Sequence, residues 1–112
     1  MSEPESKKEL LLALGLCARA RKLIYGTDMV CEKLRSDASQ IKLVIEASDT
    51  SDNTHKKIND KCAYYGARIE RIDADAMEIG HATGKRRQVA ALAVTDGALA
   101  DLLIVKLGKE AR

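Results

Sequence analysis

The chain contains no phenylalanine and no tryptophan, and its aromatic side chains are Tyr25, Tyr64 and Tyr65 alone. Proteins that grip single strands by stacking successive bases need aromatic platforms, so composition argues against that mode. Cysteine is equally sparse: Cys17, Cys31 and Cys62 are odd in number, widely separated and without a Cys-x-x-Cys pair. That pattern disfavours both a disulfide framework and a zinc site, and it fits a reducing cytoplasm. No apolar run approaches the roughly 20 residues of a spanning helix, so no membrane partner is expected. The opening Met1-Ser2-Glu3-Pro4-Glu5 is polar and acidic, unlike a secretory signal, and residues 1–5 read as a frayed, disordered tail.

What is present describes an ordinary soluble globule: 46% hydrophobic and 32% charged residues in a chain of 112. Residues 6–112 are expected to form a single domain, and a chain of this length buries roughly 65% of its unfolded surface. It needs no metal or disulfide to fold. A net charge of +2 and a pI near 8.4 do not mark nucleic-acid binding by themselves, since basic domains of that class often exceed about pI 9. The placement of charge says more. Cations gather at Arg19, Arg21 and Lys22, at Lys56, Lys57 and Lys61, and at Lys85 to Arg87, whereas acids are spread along the chain.

Ser6 with Glu9 makes a capping-box pattern, and Leu10, Leu11, Leu14, Cys17 and Ala20 continue on helical spacing, predicting a first helix from about Lys7 to Ala20. Lys22 to Tyr25 reads as a short strand. Thr27 caps a second helix that buries Val30 and Leu34, preceded by the conformationally free Gly26. Ile41 to Ala47 is an apolar run broken only by Lys42 and Glu46, as in a central strand. A third helix starts at Ser51 or Asp52, faces inward with Ile58, Cys62 and Tyr65, and stops at Gly66. Arg68 to Ile72 is a polar strand near an edge, Asp75 with Glu78 caps a fourth helix to Thr83, Val89 to Thr95 is a second central strand, and Asp96 starts a last helix. Strands and helices alternate, which predicts an α/β fold: a three-layer α/β/α sandwich around a four-stranded mixed sheet with about five helices.

The most informative stretch is Ile79-Gly80-His81-Ala82-Thr83-Gly84-Lys85-Arg86-Arg87-Gln88, leading into the apolar Val89 to Val94. Three cations follow a helix end and precede a buried strand. Fixed between packed elements, they suit phosphate contacts. Gly80 to Arg86 superficially resembles a Walker A loop, but it is one residue short, and Arg86 stands where a hydroxyl must hold magnesium. It also follows a helix C-terminus, whereas a phosphate loop presents amides at an N-terminus. His55 and His81 have no partners nearby in sequence and read as surface histidines, Cys62 as a packed thiol, and Asp49 and Asp52 as helix-start carboxylates. No acid, base and nucleophile converge, so no catalytic residue, metal ligand or cofactor is expected.

Three segments, Arg19 to Thr27, Lys42 to Asp49 and Ile79 to Lys85, taken in that order, resemble the small ribosomal-protein superfamily that binds kink-turn RNA. The stretch Ala47 to Tyr65, with Asp49, Asn53-Thr54, Lys56-Lys57-Ile58, Asp60-Lys61-Cys62 and Tyr64-Tyr65, looks most like its bacterial YlxQ-type members. The likeness spans about residues 7–105. It implies an α/β/α sandwich and a non-catalytic protein that binds structured RNA, ribosomal RNA first, using the start of the second helix and the loop after the fourth. Carried over by motif, the implied RNA-binding residues are Lys22, Gly26, Thr27 and Asp28 on one side and Gly80, Gly84, Lys85, Arg86 and Arg87 on the other. Ribosomal or translation-related proteins are implied as further partners of a monomer in the cytoplasm.

The pattern departs from the resemblance at several positions. Kink-turn binders show Gly-x-Asn-Glu with a Lys a few residues on; here Asp28 and Met29 occupy the Asn-Glu positions and Glu32 the Lys position. Lys85-Arg86-Arg87 replaces a loop that members often make apolar. A carboxylate at Glu32 repels phosphate, and Met29 offers no acceptor for a guanine edge. The alternative reading is a small α/β protein-interaction domain that has lost RNA affinity.

Overall fold

A computed structural model describes residues 3–110. The elements are α1 (Glu3–Arg19), β1 (Leu23–Tyr25), α2 (Thr27–Asp37), a 3-10 turn (Ala38–Gln40), β2 (Leu43–Glu46), α3 (Asp52–Tyr65), β3 (Ile69–Arg71), α4 (Ala76–Ala82), β4 (Ala91–Val94) and α5 (Gly97–Lys106). The strands lie in the order β1-β4-β2-β3. β4 runs antiparallel to both β1 and β2, while β2 and β3, joined by the α3 crossover, are parallel. The sheet is therefore mixed, and the polar β3 is an edge strand.

Alternation along the two central strands divides the core. Leu43, Ile45, Leu92 and Val94 point to one face, where they meet Leu10, Leu14 and Cys17 of α1, Ile79 of α4 and Leu103 of α5. Val44, Ala91 and Ala93 point to the other, against Val30 and Leu34 of α2 and Ile58 and Cys62 of α3. Both central strands are buried along their whole length, which is why the sequence runs there are nearly continuous in apolar residues.

Local chemistry sets most boundaries. Ser51, Asp75 and Asp96 each accept a hydrogen bond from the backbone N–H three residues on, capping α3, α4 and α5, and Asp75 with Glu78 completes a capping box. The N-terminus differs from expectation. Residues 3–5, read as tail, are helical, because Pro4 falls in the first turn, where its missing N–H leaves no bond unmade; Met1 and Ser2 lie outside the described residues. Ser6 is thus inside α1 and caps nothing. The cap of α2 is Gly26, at φ 94° and ψ 144°, and Thr27 is the first helical residue with no side chain capping the helix.

Candidate nucleic-acid interface

The loop between α4 and β4 is tied down along its length. Thr83 ends α4, Gly84 turns left-handed at φ 77°, and the N–H groups of Gly84 and Lys85 donate to His81 O (3.1 Å) and Gly80 O (2.9 Å), a Schellman closure. Farther on, Val89 N–H donates to Ala76 O at 2.9 Å and Ala47 N–H to Ala90 O at 2.8 Å. Between these ties the Arg87 carbonyl rests on α4 itself: a Cβ on Gly80 would stand 1.7 Å from that oxygen. Gly80, an RNA-binding residue by the resemblance, is buried and serves the loop's packing. Lys85, Arg86, Arg87 and Gly84 are exposed, and neither Arg86 nor Arg87 forms an ion pair among the described residues.

The start of α2 lies against this loop. The Gly26 N–H donates to Ala91 O at 2.9 Å, so Gly26 stands beside the first residue of β4, where the loop enters the sheet. Next to it, Lys85 Nζ sits 4.2 Å from the centre of the Tyr25 ring, a cation–π contact that joins the two segments. Burial raises the Tyr25 phenol above its ordinary value, opposed by the Thr83 hydroxyl and the Arg87 charge. Because α2 carries no side-chain cap, the N–H groups of its first turn point outward at the positive end of the helix dipole. Gly26, Thr27, Asp28, Gly84, Lys85, Arg86 and Arg87 thus share one end of the sheet.

Lys22 does not join them by position. Its carbonyl accepts from Thr95 N–H at 2.9 Å, at the far end of β1 from Gly26, roughly 13 Å along an extended strand. Two charge pairs alter the expected electrostatics of α2. Lys57 Nζ on α3 lies 3.1 Å from Asp28 Oδ1, and Arg35 Nη2 contacts both Glu32 oxygens at 2.6 and 2.7 Å. The acids that depart from the kink-turn pattern are thus both partnered by cations. Tyr25 and Lys57 are the residues that sequence reasoning missed here. Lys57 was visible only as one member of a basic cluster, and Tyr25 had no signal, since its partner is distant in sequence.

Behind the α2 and α3 face lies a polar cluster that periodicity hid. Glu46 is fully buried and receives bonds from Thr50 Oγ1, from Asn59 Nδ2 at 3.1 Å and, across 2.6 Å, from the Nδ1 side of His55, with Arg71 Nε at 3.7 Å. Burial pushes its carboxyl up, but the bonds from Thr50, His55 and Asn59 outweigh that, holding it below the ordinary carboxylate range. His55, read from the sequence as a surface histidine, is part-exposed and takes Glu46 as its partner. Asp49 is a capping carboxylate as expected, but of another helix: its Oδ1 accepts from Ala76 N–H at 2.9 Å, at the start of α4.

This fold, a mixed four-stranded sheet between helical layers, defines a ribosomal-protein class: residues 8–104 match the ribosomal protein L7Ae/L30e/S12e/Gadd45 family, and the chain belongs to it. Within that family it is similar to the RNA-binding protein YlxQ of Bacillus subtilis (strain 168), at 41% identity over 91 residues, covering 81% of this chain and 87% of that one. The RNA-binding protein YlxQ of Enterococcus faecium is 37% identical over 89 residues, covering 80% and 82%. Among solved structures, a protein of unknown function from Bacillus halodurans C superposes with a TM-score of 0.81 at 31% identity, covering 90% of this chain and 98% of that one. The Giardia lamblia 15.5kD RNA binding protein shares the fold, with a TM-score of 0.72 at 19% identity over 93% of this chain and 86% of that one.

Proposed function

We propose that this protein binds structured RNA without catalysing a reaction, contacting it with the first turn of α2 and the Lys85 to Arg87 loop. The observation that carries the reading is the Lys85 contact with the Tyr25 ring, which makes the uncapped helix start and the cationic loop one surface. Outward N–H groups at a helix N-terminus take phosphate oxygens, and the Arg86 and Arg87 guanidinium groups can fork onto phosphates or base edges. The names of its YlxQ relatives point the same way. We take the RNA to be ribosomal and kink-turn-like, the protein to act as a monomer beside ribosomal or translation-related proteins, and the compartment to be the cytoplasm, where its unpaired cysteines would stay reduced.

The Thr50, Glu46 and His55 cluster does not argue for catalysis. Both Thr50 and His55 bond to the same carboxylate oxygen of Glu46, so the imidazole is not placed to take the hydroxyl proton, as nucleophile activation requires.

The test is a titration of the protein with a kink-turn hairpin and with a plain duplex of equal length, followed by fluorescence anisotropy across a salt series. With three to six phosphate contacts, log affinity should fall against log salt with a slope of roughly −2 to −5. A flat slope with both RNAs would overturn the reading. It would favour a protein-interaction domain, for which the exposed Leu12 and Met77 lining the groove between α1 and α4 speak.

A further inference from the structure

The outer face of α3 carries a stripe that folding does not explain. Lys57, Lys61 and Tyr64 recur at helical spacing on its exposed flank, beside the buried Ile58 and Cys62, while the half-buried Tyr65 packs on the core. The stripe begins at the α2 start, where Lys57 pairs with Asp28 at 3.1 Å. One turn on, Lys61 is exposed and forms no ion pair among the described residues. At the far end Tyr64 is 80% exposed, in a chain that has only three aromatic residues. A perpendicular contact with Tyr65, at 4.8 Å between ring centres and 85° between planes, holds the ring in place without covering it. Beside the ring is an open recess of about 450 Å³ lined by Asp60, Lys61, Tyr64 and Tyr65.

We propose that the RNA continues from the α2 start along α3, its phosphates passing Lys57 and Lys61 and one unpaired base stacking on Tyr64. The inference rests on the RNA-binding reading above and extends its surface. Charge and continuity choose RNA as the occupant: the track carries Lys57 and an exposed Lys61 with no ion pair among the described residues, it starts beside the proposed interface at Asp28, and it ends on an aromatic ring. The group over Tyr64 is a base, because the face of an aromatic ring stacks on a base and offers a phosphate no donor. A single exposed ring cannot run a multi-base stacking platform, but it can hold one base, and base–aromatic stacking tolerates any sequence.

The experiment uses the full chain and two probes: a blunt kink-turn hairpin, and the same hairpin with a single-stranded tail of about six uridines placed on each strand in turn. The wild-type protein should bind one tailed RNA about fivefold or more tighter than the blunt one, the low end for one stacked base. Tyr64→Ala should abolish that gain and leave blunt-hairpin affinity unchanged, while Tyr64→Phe should keep it. Tyr64→Trp gives a chain without other tryptophans a unique reporter, whose fluorescence should be quenched by the favoured tailed RNA and not by the blunt one. If Tyr64→Ala binds both probes as the wild type does, the inference fails while the RNA-binding reading stands, and the ring is left as a surface for a protein. If the wild type binds neither probe, both fall together.

Discussion

Arg21 and Arg86 hold positive φ, at 61° and 59°, where an L side chain crowds its own backbone. Arg21 sits where Gly84 sits after α4: its N–H donates to Ala18 O at 3.0 Å and that of Lys22 to Cys17 O at 3.1 Å, closing α1. Arg21→Gly should therefore stabilise the protein by about 0.5–1 kcal/mol, after the extra unfolded-state freedom of glycine is subtracted, and raise the melting temperature by a few degrees. Arg86→Gly should give a similar gain but weaken RNA binding, because it removes a cation from the loop as it relieves strain. Melts and titrations of the same variant separate the two effects, and a loss of stability would contradict the strain argument.

Glu46 makes a different prediction. Its folded-state value lies below the ordinary one, so its contribution to stability is fully present above the unfolded carboxylate value, near 4.5, and is lost as pH falls through the folded value. Glu46→Gln should cost about 2–3 kcal/mol at neutral pH. The gap from wild type in urea midpoints should narrow as the medium is acidified below the unfolded value, and a constant gap would refute the coupling. The cluster was illegible in the sequence because its members come from a strand, a turn, a helix and a neighbouring strand. In β2, Glu46 looked only like an interruption. By contrast, the Ser51, Asp75 and Asp96 caps and the Gly66 stop were legible, since each acts within a few residues of itself.

Among the elements, α4 and its loop behave as one unit. Gly80→Ala would drive a methyl group into the Arg87 carbonyl and should destabilise by about 1–3 kcal/mol, displacing the cationic loop as well. An unchanged melting temperature would show that the loop is not packed on α4. The order of elements and the loop's charge could be read from periodicity and composition. The packing role of Gly80 could not, because its neighbour in space is a backbone carbonyl and carries no side-chain signal. Lys22 shows the converse: closeness to Gly26 in sequence misled, since an extended strand carries the two residues to opposite ends of the sheet.

The first two turns of α2 hold the departures from the kink-turn pattern. Restoring Asn at Asp28, Glu at Met29 and Lys at Glu32 should raise the preference for a kink-turn over a plain duplex at least tenfold, about 1.4 kcal/mol. The structure adds two costs to that change: Lys57 loses its partner Asp28, and a lysine at position 32 would face Arg35 three residues on, worth a few tenths of a kcal/mol in stability. An unchanged ratio of affinities would mean that the start of α2 does not read the RNA.

At the scale of the whole molecule, the two core clusters fix the sheet between its helical layers, and the sheet places the α2 start and the loop at one end. Net charge is only +2, so long-range attraction is weak and binding must depend on where the cations stand. The most direct measurement is the salt dependence of kink-turn hairpin affinity for wild type and for the Arg86→Ala, Arg87→Ala double variant. Lys85 is left intact because it packs on Tyr25. In the variant the slope should be shallower by roughly 1 to 2, with weaker binding to hairpin and duplex alike, as loss of phosphate contacts requires. Equal slopes and equal affinities for the two proteins would contradict the proposed interface.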